Sequence, residues 1–126
     1  MEFDPSVPIW LQLTGEFTRR VVTGSWLPGE KIPAVRELAV DLKVNPNTVQ
    51  RALAELERSG LTRTERTAGR FVTDDLAAID AARRGLAAEA AIDYARRADG
   101  LGMGLAAARE LLSQEWPGAT QEGDAR

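Results

Sequence analysis

The chain has 126 residues, 44% hydrophobic and 28% charged, enough for one small globular domain with an appendage and too few for most enzyme scaffolds. It has no Cys and no His, which excludes disulfides, thiolate nucleophiles, Cys-ligated zinc and the commonest general base, so neither an enzyme nor a cofactor or metal is expected. The net charge of −3 also argues against a nucleic-acid partner, since such domains are commonly basic.

Charge is unevenly placed, however. Residues 1–73 hold ten Lys or Arg and nine Asp or Glu, a balance of +1, whereas residues 74–126 hold six and ten, a balance of −4. The start, Met1-Glu2-Phe3-Asp4, carries neither a basic leader nor an apolar run, and no apolar stretch reaches the length of about eighteen residues that a membrane span requires. A cytoplasmic protein without a membrane partner is expected.

Behind Pro8, the residues Ile9, Leu13, Phe17 and Val21 recur every four positions, with Trp10 and Val22 widening the stripe, and predict an amphipathic helix closing near Gly24. A turn at Leu27-Pro28-Gly29-Glu30 follows. Val35, Leu38, Ala39 and Leu42 then predict a short helix over roughly Ala34–Leu42. Asn45 is a good N-cap and Pro46 fits the first helical position, so a third helix should run from Pro46 to about Ser59, burying Val49, Ala52, Leu53 and Leu56 and stopping at Gly60. Near-alternation through Leu61–Arg66, repeated at Phe71-Val72-Thr73, predicts a β-hairpin with Gly69 as its turn residue. This order, mainly α with a small β-hairpin, matches a winged helix-turn-helix over residues 1–75.

At Thr73-Asp74-Asp75 the sequence turns alanine-rich. Residues 76–117 predict two further helices, the first with Ile79, Ala82, Leu86, Ala90 and Tyr94 at helical spacing, the second with Leu105, Ala108, Leu112 and Trp116. Left exposed, Ile79, Leu86, Ala90, Tyr94, Leu105 and Leu112 would make a poorly soluble stripe, so the tail is expected to pair with a second copy as a homodimer. The competing expectation is that this face folds back onto the first domain. Tyr94, Met103 and Trp116 could line a pocket for an unidentified small-molecule effector, but read more simply as packing residues. Residues 118–126 are expected to be a disordered tail.

If the second and third helices cross over a three-residue turn, the start of the third presents Asn47, Thr48, Gln50 and Arg51 outward. Asn or Gln pairs bidentately with adenine and Arg with guanine, while the helix N-terminus offers unpaired N–H groups to phosphate. Asn45 could serve as cap and phosphate contact at once. An Asn-Pro-Asn-Thr run alone does no more than start a helix. The DNA reading gains from Arg36 and Lys43 before it and from Arg63, Arg66 and Arg70 in the hairpin, where charge otherwise decorates a sheet edge.

These residues resemble a known family. Gly24 to Ala39, reading G-S-W-L-P-G-E-K-I-P-A-V-R-E-L-A, then L-K-V-N-P-N-T-V-Q-R-A-L-A-E-L-E-R-S-G-L and A-G-R-F-V, is similar to the winged-helix domain of GntR-family bacterial transcription regulators. The resemblance covers roughly residues 5–75. It implies a dimeric repressor or regulator on double-stranded DNA at a pseudo-palindromic operator. It also implies a phosphate contact at Arg36, recognition-helix positions at Asn45, Pro46, Asn47, Thr48 and Gln50, and a wing tip at Gly69 and Arg70. Some relatives carry Arg at the positions of Pro46 and Gln50, which shifts base readout toward Asn47, Thr48, Gln50 and Arg51. Lys43 stands where many such turns use Gly, and Ala34 where Ser often caps. The short tail is similar to that of YtrA-type members. A winged-helix protein–protein module without DNA readout is the alternative, favoured by the near-neutral first part.

Overall fold

A computed structural model of the chain describes residues Met1–Ala119. Pro8, with φ −53°, leads into α1 (Ile9–Val22), whose period-four stripe buries Leu13, Phe17 and Val21. Ile9 opens that stripe in the sequence but stays exposed in the first turn. Trp26, just past the helix, tilts against Phe17 at 5.2 Å between ring centroids, and the Arg20 guanidinium lies over both rings. Trp26 and Ile32 thus join the core from what reads in the sequence only as a turn.

Helix α2 (Val35–Leu42) buries Leu38 and Ala39. It starts at Ala34 without any side-chain cap, as the loss of a Ser at that position predicts. Helix α3 (Pro46–Arg58) follows, burying Val49, Ala52, Leu53 and Leu56, and ends at Gly60, whose φ of +83° is the left-handed value that favours glycine. Its apolar side packs on both α1 and α2, forming a three-helix core with Leu61 and Val72.

The hairpin is β1 (Thr62–Glu65) against β2 (Gly69–Val72), antiparallel, with Thr62 opposite Val72 and Glu65 opposite Gly69. Two details differ from the sequence expectation. Leu61 and Thr62 are both buried where alternation would expose one of them, because the strand leaves α3 directly over the core. Gly69 is the first residue of β2, with φ +111°, and the turn itself is Arg66–Ala68. The segment around Lys31 runs along the free side of β2: the Ile32 N–H donates to the Arg70 carbonyl and the Val72 N–H to the Glu30 carbonyl, both at 2.9 Å. The two-stranded wing therefore has a third, irregular neighbour.

Helix α4 (Leu76–Gly100) begins where the composition changes, its first amides held by the Asp75 carboxylate, which accepts from the Ala77 N–H at 3.0 Å. The compact first unit nevertheless extends to Leu86. Ile79 is 5% exposed and belongs to the winged-helix core, with Ala82 packed against it. This corrects the placement of Ile79 on a dimerisation stripe: for the first turns of α4, folding back onto the first domain prevails because that core has an open apolar side to cover.

From Ala87 onward the chain forms a second unit, in which the end of α4 and α5 (Leu105–Glu115) are joined through Gly102, at φ +80°. The Tyr94 hydroxyl donates to the Ala108 carbonyl at 2.7 Å. Tyr94 is thus half-buried and engages its hydroxyl within its own chain. Among the described residues of this unit only Ala98 and Ala108 are buried, while Ile92, Leu101, Leu105, Leu111, Leu112 and Trp116 stay exposed. Of the tail expected to be disordered, residues 120–126 lie outside the described residues; the Ala119 N–H donates to the Trp116 carbonyl at 2.9 Å.

Candidate nucleic-acid interface

The start of α3 is built by its own sequence. The Asn45 carboxamide oxygen accepts from the Asn47 N–H at 2.7 Å, and Pro46 occupies the first turn, where no amide donor is needed. Lys43 closes α2 in the left-handed conformation, φ 57° and ψ 47°, which costs a non-glycine residue about 1 kcal/mol. The turn Lys43–Asn45 is therefore as short as the spacing predicts, and it brings Asn45, Pro46, Asn47 and Gln50 to an exposed surface. Thr48 is only half-exposed.

Arg36, on the first turn of α2, lines a shallow apolar hollow together with Ala39, Val40, Val44 and Pro46. A cation of α2 thus borders the N-terminus of α3. From the wing, an Arg70 guanidinium N–H lies 3.5 Å from the Gln50 side-chain oxygen, at the outer limit of a hydrogen bond, and the Thr64 hydroxyl donates to the Glu57 carboxylate. These links bind the wing to the side of α3. A larger hollow lies between wing and α2, lined by Lys31, Glu37, Arg66, Gly69 and Arg70 among others. Arg36, Pro46, Gln50, Arg66, Gly69 and Arg70 are thereby brought into one neighbourhood spanning α2, α3 and the wing.

Two arginines do not join it. The Arg51 guanidinium stacks on the Trp10 ring of α1 at 3.8 Å from the centroid, which engages it on the side of α3 away from the wing. Arg63 is drawn to Glu65 at 3.5 Å, to Asp74 at 3.6 Å and to the Val72 carbonyl at 3.2 Å, and lies over Phe71. It braces the base of the wing and is largely neutralised.

Sequence reasoning missed Lys31, Glu57 and Trp10. Lys31 sits beside the wing, where a Cβ added to Gly69 would come within 3.0 Å of its side chain. Nothing local in the sequence announces a contact between positions so far apart in the chain. Glu57 follows from helical phase alone, since it shares the wing-facing side of α3 with Gln50. Carboxylates whose acidity is altered lie elsewhere: Glu55 is lowered by its hydrogen bond from Arg58, and Asp80 by those from Arg84 and Arg83. Both are half-exposed, and the shifts reflect local ion pairs. No group of three potential metal ligands occurs among the described residues.

Comparison with known proteins agrees with this geometry. Residues 11–72 match the family described as bacterial regulatory proteins, gntR family. The HTH-type transcriptional regulator YhcF of Bacillus subtilis (strain 168) is 37% identical over 102 residues, 81% of this chain and 84% of YhcF. The HTH-type transcriptional repressor YtrA of the same organism is 39% identical over 77 residues, 60% of this chain and 59% of YtrA. Among solved structures, a GntR family transcriptional regulator from Listeria monocytogenes superposes with a TM-score of 0.78 at 33% identity, covering 89% of this chain and 98% of that one. AraR(DBD) in complex with operator ORX1 superposes with a TM-score of 0.53 at 27% identity, over 58% of this chain and 93% of that one. With its helix-turn-helix, its wing and relatives matched over most of their length, the chain belongs to the GntR family of bacterial transcription regulators.

Proposed function

We propose that the protein is a sequence-specific DNA-binding repressor that acts in the cytoplasm as a homodimer on a pseudo-palindromic operator, and that it is not an enzyme. In this reading residues 1–75 bind DNA, α3 enters the major groove, and the wing, Thr64–Phe71, grips the flanking backbone. Residues 76–117 dimerise, apart from the first turns of α4, which complete the core of the DNA-binding unit. Asn47 and Gln50 read base edges from the exposed start of α3, Arg36 and Arg66 meet phosphates, and Gly69 with Arg70 forms the wing's approach. Asn45, Pro46 and Thr48 shape and border the same surface.

The single observation that carries the reading is that α3 is bordered by cations of two other elements, Arg36 of α2 beside Pro46 and half-buried Arg70 of the wing beside Gln50. It gains from the relative AraR(DBD), whose structure is a complex with an operator. Dimerisation is supported by the second unit, a helical hairpin with two buried alanines and, among its described residues, six large apolar side chains exposed; a second copy of the same surface would cover them. An effector site has no comparable support, since Tyr94 is committed to the Ala108 carbonyl.

The test is a binding titration of the full chain on the upstream region of its own gene, against random duplex, at two salt concentrations. A regulator gives a preferred duplex and an affinity falling steeply with salt. A protein–protein module, consistent with the near-neutral charge of residues 1–73, gives neither.

A further inference from the structure

Arg51 and Trp10 form a contact between α1 and α3 that fold and recognition leave unexplained. The guanidinium lies 3.8 Å from the ring centroid, close enough for the cation to rest on the face of the indole. Trp10 is half-buried in the first turn of α1, so its ring is held by the helix, whereas Arg51 is exposed. Glu55, one turn further along α3 and the ordinary partner for a helical Arg, is taken instead by Arg58 at 2.7 Å. Among the described residues Arg51 forms no ion pair within 4 Å, although Glu55 is near enough to feel its charge. A guanidinium resting on a ring still has N–H groups that can donate to an anion.

Helical phase says which anion they would meet. Asn47 is near the centre of the exposed side of α3, Gln50 leans toward the wing and Arg51 leans the other way, toward α1. A helix about 10–12 Å across fills a major groove about 12 Å wide. Outward residues then face the bases, and residues on either flank face the two phosphate walls. Arg70 stands on one flank and Arg51 on the other.

Resting on the DNA reading above, we infer that Trp10 is a positioning residue for DNA binding, which takes the face of Arg51 and turns that side chain from a base reader into a fixed phosphate contact on the α1 side of the groove. The ring pre-orders a side chain that would otherwise lose several rotors on binding. The clamp therefore adds affinity without sequence preference.

Equilibrium binding of the full chain to its preferred duplex and to random duplex, across a salt series, tests this. Arg51→Ala should weaken both duplexes alike, roughly tenfold at low salt, and lower the salt slope by about 0.9, one phosphate's worth. Trp10→Leu, which keeps apolar bulk without the aromatic face, should weaken binding several-fold where Arg51 is present and not at all in the Arg51→Ala background. Trp10→Phe should retain most of the affinity. Should Trp10→Leu disturb the fold, seen as a lowered melting temperature, Arg51→Lys decides, because it keeps the charge, leaves α1 untouched and loses the planar stack; it should bind more weakly than the wild type.

Equal losses from Trp10→Leu with and without Arg51, or undiminished binding by Arg51→Lys, would overturn the clamp. So would an Arg51→Ala loss confined to the preferred duplex, which would return Arg51 to base readout. A wild-type chain that prefers no duplex and shows no salt slope overturns the DNA reading itself and this inference with it.

Discussion

Lys43 carries the clearest residue-scale cost in the molecule. Its φ of 57° places a side chain where glycine is at ease, in the tight turn that sets the angle between α2 and α3. Lys43→Gly should raise stability by about 1 kcal/mol, read as a shifted denaturation midpoint. A neutral or destabilising outcome would mean that lost unfolded-state restraint outweighs the relieved strain. The neighbouring cap works in the opposite direction: Asn45→Ala leaves the Asn47 N–H without its 2.7 Å acceptor and should cost about 1 kcal/mol. At the DNA surface, Asn47→Ala should cost about 1–3 kcal/mol at its own base position, whereas Arg36→Ala should weaken all sequences alike. Binding to a panel of single-base operator variants separates the two, and equal losses on every duplex from Asn47→Ala would remove it from readout.

The elements differ in how much of their form is local. Helices α1 and α3 follow directly from their period and punctuation: apolar residues at three- and four-residue spacing, a proline at the start, a glycine past the end. The wing does not, because its four-residue strands are held by parts distant in sequence. Lys31 and Ile32 supply its third neighbour, Glu57 accepts from Thr64, and Asp74 steadies Arg63. Gly69, the first residue of β2, is similarly non-local, since its lack of a Cβ leaves room for Lys31. Gly69→Ala should therefore disturb the wing through strain at φ +111°, while the exposed Lys31 side chain shifts aside from the new methyl. The measured outcome should be weaker binding to any duplex with helical content unchanged by circular dichroism.

For the whole molecule, charge and exposed apolar area set behaviour. With no His in the chain, no side chain has an ordinary titration between about pH 5 and 8. DNA affinity should stay flat from pH 6 to pH 7.5 at fixed salt, and a tenfold change across that window would point to a strongly shifted group. Below that range the sign follows from the carboxylates. Glu55 and Asp80 titrate lower in the folded chain than in the unfolded one, because Arg58 and Arg84 donate to them. Their small contribution is complete above the ordinary carboxylate range and is lost as pH falls through the lowered value. In the second unit, Leu105 is 75% and Leu112 47% exposed. Replacing both with Glu should give a monomer by sedimentation and a large loss on a two-half-site operator, with a smaller loss on a single half-site.

The sequence by itself determined the three helices of the first unit, the short turn between α2 and α3, the polar start of α3 and the family to which the chain belongs. All of these arise from periodicity, caps and motifs within a few residues of one another. The tertiary structure decided where the first turns of α4 go, since Ile79 has the same helical spacing whether it faces a partner or its own core, and only the open side of that core settles the matter. It also decided the fate of each arginine. Sequence counts Arg51, Arg63 and Arg70 as equal charges, but a guanidinium is directed by whichever ring, carboxylate or carbonyl the fold brings within about 4 Å. Trp10, Asp74 and Gln50 reach those three from other parts of the chain, and no local pattern encodes such meetings.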